Sequence, residues 1–455
     1  QVNYSNADAS TVSMRGQDPD ATQFTFDGQV PAAAGTPPRS SSGSSDVSSR
    51  AFEFSQATIN NIETIEVFKA PPPWMAPSTG GVINAVTKNA FNQKGRRLRL
   101  STNLTANSEM LSLKPVDGPG ARATSRIKPG GSLYYSEALL NERLGFSLSY
   151  SESNTINPTH NYGLTYSPLV AGTAAAPITE STPVVVNTFT LVDGPQVKRR
   201  RTLGINTDYK LGSFTVLKLG LSYNSYLSQN RGHTFRVKPS AVNSTVIAPG
   251  STDTDATIRT GLVDVFDDYS DDFRQSYGYV GAVEHRYGPW KLIYSAAYSK
   301  SDNRVTDLPT MIQSIQYNLV AADGVSYRIT AKPDTPAPTS LVQLTGPDLY
   351  DLASYKNTTN GLSLQTSPRF QNDRTWNLKA DITRAFSALR FPIELRAGAS
   401  LYQLHRAKNA GQIVLNFLGP DGIAGTGDEI LPATLFADTT YGDKFLYGIR
   451  RPPLL

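Results

Sequence analysis

Few residues in this sequence have a type and spacing suited to covalent chemistry. The four histidines, His160, His233, His285 and His405, lie far apart, and none belongs to an HExxH-type pair, so a catalytic zinc centre has no ligand set. There is no cysteine, which removes disulfides and thiolate metal sites. Neither a GxSxG elbow nor a P-loop occurs, so hydrolase and NTPase readings lack their motif and energy for any work has to come from outside the chain. The chain is read as a non-enzyme with no cofactor and no metal. Two acidic stretches, DVFDDYSDD at 264–272 and GPDGIAGTGDE at 419–429, offer oxygens for Ca²⁺, but neither has EF-hand spacing, and solvated loop acids are the simpler reading. The basic run KRRR at 198–201 precedes a strand, where it is either a solvated charge run or a contact for lipid phosphates.

Those residues need elements to carry them, and the composition favours strands. The chain has 455 residues with 22 Tyr, 18 Phe, 35 Gly and 30 Pro, a mixture suited to strands and turns. The 43 basic and 38 acidic residues nearly balance, so no nucleic-acid surface is expected. No apolar run approaches the roughly 20 residues of a spanning helix, whereas a barrel strand needs only about 9–11 residues with alternate side chains apolar.

That alternation recurs from residue 97 onward. Leu98, Leu100, Thr102 and Leu104 share a face against Arg99, Ser101, Asn103 and Thr105; Leu144, Phe146, Leu148 and Tyr150 oppose Gly145, Ser147, Ser149 and Ser151. The same rule covers 203–210, 217–224, 290–299, 376–383 and 393–401, with 131–138 and 274–286 as weaker members. Short turns at 140–143, 210–213, 287–290 and 387–391 alternate with long polar segments near 155–198, 231–271, 305–373 and 407–440. Tight turns on one side and long loops on the other are the habit of an outer-membrane barrel. Tyr134, Tyr150, Tyr223, Tyr277, Tyr279, Tyr287, Trp290 and Tyr298 are expected in its interfacial aromatic girdles. The count reaches about nine strands by Arg406, an odd number where an even one is expected, so the sequence reads as part of a barrel.

The stretch before the barrel pattern, IETIEVFKAPPPWMAPSTGGVINAVTK at 62–88, reads as two strands around a turn rich in Pro, Ser and Gly. Gly80 and Gly81 suit a sharp entry into a strand at close approach. Ile62, Ile65 and Val67 with Val82, Ile83 and Val86 are expected to form the apolar side of the pair. In FTFDGQ, Asp27 and Gly28 follow a strand as a turn, and 31–50 is a low-complexity connection.

Together with MRGQDPDATQFTFDGQVPA at 14–32, this stretch resembles the plug domain of TonB-dependent outer-membrane receptors, with Ala70 standing where that family commonly has Gly before Pro. The resemblance implies an all-β membrane protein in which an N-terminal plug, residues 1–92, sits inside an antiparallel transmembrane β-barrel that starts at 93. By resemblance the complete barrel has about 22 strands. The plug-motif residues are Arg15, Gly16, Asp27, Gly28, Glu63, Glu66, Lys69, Gly80, Gly81, Asn84 and Lys88. Glu63, Glu66, Lys69 and Lys88 are expected to pair weakly with charges on the inner wall. The resemblance further implies an outer-membrane location of Gram-negative type and import of a scarce siderophore, cobalamin or oligosaccharide. Its partners would be the TonB-ExbB-ExbD complex and outer-membrane lipid. No signal sequence is visible at Gln1, which is read as a cleaved leader or a fragment lacking the start of the plug and the later strands. Two other classes remain open at this point. One is a passive porin or surface adhesion barrel constricted by residues 1–90, and the other is a soluble all-β carbohydrate-binding protein.

Overall fold

The computed structural model describes residues 2–5, 8–33, 62–72, 75, 78–88, 91, 95–117, 123–169, 179–180, 182–306, 316–319, 325–333, 338–356, 363–366, 368–386, 393–411, 413–423 and 425–428. The low-complexity connection beyond residue 33, the 387–391 turn and the last part of the 407–440 loop lie outside them.

A small sheet forms first. Its strands are β1 (Thr22–Phe26), β2 (Ile62–Phe68) and β3 (Gly81–Thr87), in the order β1-β3-β2. The expected 62–88 pair is antiparallel, with Ile65 opposite Ala85 and Val67 opposite Ile83. β1 adds to the other side of β3 in parallel, Thr25 beside Asn84. As the middle strand β3 is covered on both faces: Val82, Ile83, Asn84 and Ala85 are all buried, which suits its nearly unbroken apolar run. The expected apolar side is corrected in part. Ile65 and Val67 are exposed on the edge strand β2, and the core is completed by Met14, Phe24, Val12 and Phe26 from before the pair, with Ile62.

The largest sheet is organised on one nine-strand path. In chain order it runs β4 (Arg97–Ala106), β5 (Ile127–Leu139), β6 (Leu144–Pro168), β7 (Val184–Lys210), β8 (Thr215–Pro239), β9 (Asp255–Tyr287), β10 (Trp290–Thr306), then β13 (Arg369–Phe386) and β14 (Ile393–Ala410). Four shorter strands of the same sheet lie off the path, among them β11 (Val325–Ala331) and β12 (Pro338–Thr345). Each strand of the path pairs antiparallel with the next in sequence, so the nine expected segments are the nine observed strands. The tight turns fall where expected: Leu140, Asn141 and Glu142 take positive φ, and Gly288 turns β9 into β10.

What separates this wall from a soluble sheet is which face is covered. Leu219, Trp376, Leu378, Leu395 and Leu401 are exposed, Leu395 by 60%. On the opposite face Ser136, Ser147, Ser149, Ser151, Ser301, Thr375 and Asp373 are buried, Asp373 completely. A soluble protein places apolar side chains inside; here the polar face is covered and the apolar face is bare.

The long polar segments are corrected from loops to extended strands. β6, β7, β8 and β9 run for 25, 27, 25 and 33 residues, far beyond the roughly 9–11 that cross a bilayer. Thr155 to His160 pair with Lys198 to Asp193, continuing the ladder. The reason is at their far ends, where the face pattern reverses. Val185, Val186, Phe189, Leu191, Phe235, Val237, Ile247, Ile258, Val263, Val325, Tyr327, Ile329, Leu349 and Tyr355 form an apolar core, contributed mainly by β7, β8, β9 and β11. Above the wall, the hairpins bury apolar groups as a soluble domain does.

Candidate functional site

The site lies where the small sheet meets the polar face of the wall. Inside the sheet, Thr25, Asn84 and Glu66 stand in one cross-strand row. Thr25 Oγ1 donates to Asn84 Oδ1 at 2.9 Å, and Asn84 Nδ2 donates to Glu66 Oε2 at 2.8 Å. The Gly28 N–H also donates to Asn84 Oδ1, at 2.8 Å. Asn84 is buried, so each of these bonds replaces water it cannot reach. Asp27 closes the end of the sheet by accepting from the Thr87 N–H at 2.9 Å and from its hydroxyl at 2.7 Å.

The glycines of the motif are explained by geometry. Arg15 and Gly16 have φ of 57° and 69°, and Asp27 and Gly28 have 48° and 75°. Both pairs sit at the centre of a turn, closed by Gln17 N–H to Met14 O at 3.1 Å and Gln29 N–H to Phe26 O at 2.8 Å. Positive φ at both central residues is what a type I′ turn requires. Gly81 has φ 118°, and a Cβ there would come within 2.7 Å of the Phe68 carbonyl oxygen; at Gly80 it would come within 2.8 Å of the Ala21 oxygen. Ser78 fastens this corner, its hydroxyl donating to Ala21 O or Gly81 O, both at 2.6 Å, and accepting from the Gly81 N–H at 3.0 Å.

Beyond the Asp27–Gly28 turn the chain runs as a strap along the wall. Gln29 Nε2 donates to Ser295 Oγ at 2.8 Å, and the Ala32 N–H to Ser299 Oγ at 2.5 Å. Asn377 Nδ2 donates to the Val30 carbonyl at 3.0 Å and Arg406 Nη2 to the Ala33 carbonyl at 3.3 Å. On the far side of the sheet, Asn206 Nδ2 donates to the Lys88 carbonyl at 3.1 Å. Between strap and wall is a cavity of about 130 Å³ whose wall side is lined by small inward residues such as Gly204, Ser222, Gly278 and Ser299.

The structure brings Asp27, Gly28, Glu66, Gly80, Gly81 and Asn84 into this small sheet, with Gly80 and Gly81 at the start of β3 and Asp27 and Gly28 at its other end, while Arg15 and Gly16 form a separate turn. Glu63 sits at an irregularity of the β2 ladder and Lys69 in the bend after β2. Glu66 is held by Asn84 within the sheet, and the Lys88 ammonium lies over the ring of Tyr134 on the wall at 4.8 Å. Among the described residues several acids of the wall are paired within it. Glu284 takes Lys218 at 3.3 Å and Lys291 at 3.6 Å, Asp381 takes Arg396 at 3.2 Å, and Asp373 takes Arg406 at 2.5 Å. Among the described residues the strap is held by single hydrogen bonds, to Ser295 and Ser299 and from Asn377 and the Arg406 guanidinium. Sequence reasoning missed Thr25, Ser78, Thr87, Ser299 and Asn377, because a small polar residue carries no signal until its partner is known.

The acidic and basic candidates resolve differently. Residues 264–272 lie within β9, not in a loop. Asp272 is bound by Arg274 at 2.6 Å and Asp271 by Gln229 at 3.1 Å; the side chains of 264–269 lie outside the described residues. In 419–429, Asp428 Oδ1 accepts from Thr426 at 2.9 Å and Oδ2 from the Asp421 N–H at 3.2 Å, and no group of metal-ligating side chains exists among the described residues. The KRRR run is divided by strand alternation. Lys198 is buried and Arg200 stacks on Tyr226 at 5.2 Å on the inner face, so only Arg199 and Arg201 point outward.

The aromatic rows border the bare face. Tyr223 meets Tyr277 at 5.1 Å and Tyr298 meets Trp376 at 4.5 Å, both pairs tilted, toward the long hairpins, while Phe214 meets Tyr287 at 5.4 Å beside the short turns. From Tyr277 to Tyr287 is about ten residues, or roughly 33 Å of strand; tilted by about 40° that is a band of roughly 25 Å, the height of a barrel's lipid-facing belt. Tyr134 is the exception, because its parity turns it inward under Lys88.

No family model matches the chain, and no curated protein sequence matches it. Among solved structures it is similar to the outer membrane transporter YddB from Escherichia coli, at 9% identity over 85% of this chain and 66% of that one, with a TM-score of 0.32. It is similar also to the siderophore receptor PiuA from Acinetobacter baumannii, at 14% identity over 88% and 55% with a TM-score of 0.31. A third is BauA, the ferric preacinetobactin receptor from the same organism, at 11% identity over 87% and 53% with a TM-score of 0.24. The chain spans between about half and two-thirds of the length of these structures.

Proposed function

We propose that this chain is the plug and part of the barrel wall of a TonB-dependent outer-membrane receptor, which imports a scarce ligand by energy-coupled movement of the plug. The observation that carries the reading is the inverted wall, apolar where bare and polar where covered, with a separate small sheet held against the polar side. A face of exposed Leu, Tyr and Trp about 25 Å tall suits lipid and nothing aqueous. The manner of attachment favours a plug that moves. The described strap bonds are single hydrogen bonds, the neutral ones contributing about 0.5–1.5 kcal/mol each and the one from Arg406 about 1.5–3 kcal/mol, and the strap can break them one after another.

In this reading a ligand binds between the long hairpins and the plug. The TonB-ExbB-ExbD complex then draws on the plug from the other side, and the strap leaves the wall to open a path through the present cavity. The chain makes and breaks no covalent bond. Siderophores, cobalamin and oligosaccharides are the candidate cargo. The test is uptake by cells carrying the full-length gene, using a panel of these three ligand types with and without a protonophore. Binding that persists while uptake stops is the expected result; uptake indifferent to the protonophore would instead establish a passive pore.

A further inference from the structure

We propose that the exposed face of the wall docks phosphate-bearing lipid headgroups at its long-hairpin end, through Arg199, Arg304 and Arg374. This rests on the reading that the bare apolar face meets lipid, and it adds which end of that face meets phosphate.

The argument starts from strand parity. On β10, Tyr294 and Tyr298 face outward, so Lys300, Asp302 and Arg304 continue the same face beyond the aromatic row. Lys300 is directly opposite Tyr277 on one side and Arg374 on the other, one row past Tyr298 and Trp376. Arg304 lies two rows further, opposite Phe273 and Phe370. Arg199, Leu227, Phe273 and Arg304 stand in a single cross-strand row, which puts Arg199 and Arg304 three strand spacings, or about 14 Å, apart. The cations therefore begin one row past Tyr298 and Trp376 and alternate there with Leu227, Phe273 and Phe370, as the rim of a lipid-facing band does at the depth of headgroups.

Charge accounting separates these arginines from ordinary surface ions. Glu152 takes Arg201 at 3.1 Å and Asp302 takes Lys300 at 2.8 Å. For Arg199, Arg304 and Arg374 no acidic partner exists among the described residues, and Arg304 and Arg374 are exposed. Arg374 spends one N–H on Asn372 Oδ1 at 3.1 Å, which orients the guanidinium and leaves its other donors outward. At the short-turn end the outward Arg384 is instead laid over Trp290 at 4.8 Å and Phe386 at 4.6 Å, its charge turned onto rings. A fork of N–H donors on a fixed sheet is suited to phosphate oxygens, and a headgroup layer is what lies against this row.

The probe is dioleoyl phosphatidic acid against dioleoyl phosphatidylcholine, with lipids retained by the purified full-length protein counted by native mass spectrometry. We expect phosphatidic acid to be preferred, with the preference falling about fivefold for each of Arg199→Gln, Arg304→Gln and Arg374→Gln and restored by the Lys variants. Tryptophan quenching by brominated-chain lipid is measured in parallel and should be the same in wild type and variants. An unchanged preference in the triple Gln variant overturns the proposal while leaving the lipid-facing wall intact. Displacement of the lipid by inorganic phosphate overturns it too, by showing a small anion site. Absence of quenching in the wild-type protein overturns the membrane reading itself.

Discussion

Asn84 and Gly81 show how little side chain the small sheet has to spare. Asn84 ties three segments together, accepting from Thr25 and the Gly28 N–H and donating to Glu66. In Asn84→Ala these partners are left without it in a buried place, so a loss of about 1–3 kcal/mol is expected, seen as faster proteolysis between residues 62 and 88. Gly81→Ala should be worse than Asn84→Ala by the same assay, because its Cβ would strike the Phe68 backbone at 2.7 Å while φ stays at 118°. A Gly81→Ala protein as protease-resistant as wild type would show that this corner is not built as described. The glycines were legible in the sequence as points of close approach. What they approach was not, because Ala21 and Met14 are about sixty residues away along the chain.

At the scale of elements, alternation made the nine wall strands readable and misread their length. An apolar–polar period of two is plain along the wall, where one face is bare and apolar and the other covered. It fades toward the hairpin ends, which enclose an apolar core of their own, so 155–198 and 231–271 read as loops. One ion pair holds such an extension. Arg328 on β11 donates from Nε to Asp255 Oδ1 on β9 at 2.7 Å, and its Nη2 pairs with Oδ2. The bond from Arg328 keeps the Asp255 carboxyl below its ordinary value. A depressed carboxylate stabilises the folded form above the ordinary value of about 3.9 and ceases to do so as pH falls through the lowered one. Hydrogen exchange in β11 should therefore quicken, relative to the neighbouring ladder, only below about pH 4, and Asp255→Asn should show that quickening at every pH. Both groups are half exposed, so the effect is small.

For the whole molecule, two cores with opposite rules stand on one set of strands. The wall shelters polar groups and bares apolar ones; the hairpin ends do the reverse. The two should fail separately. Phe189→Ala or Tyr327→Ala, both fully buried above the wall, should cost that region about 3–5 kcal/mol and loosen the hairpins to protease. The wall in detergent should keep its strand signal. In contrast Leu219→Asp places a charge on the bare face, and the expected result is poorer insertion into liposomes, measured by flotation, with the outer core unaffected. Simultaneous loss of both regions in either variant would contradict the division.

By itself the sequence determined that the chain is all-β, where the nine wall strands run, and that residues 62–88 pair around a glycine corner. These are local matters: a period of two and the steric freedom of Gly act between near neighbours. Only the tertiary structure decided that Glu66 serves Asn84, that Tyr134 and Lys198 turn inward, and that the strap is held by single hydrogen bonds. The first two depend on which strand lies alongside and in what register, since a shift of one residue would send those side chains to the other face; the strap's bonds, with Ser295, Ser299, Asn377 and the charged Arg406, depend on partners far away in the chain.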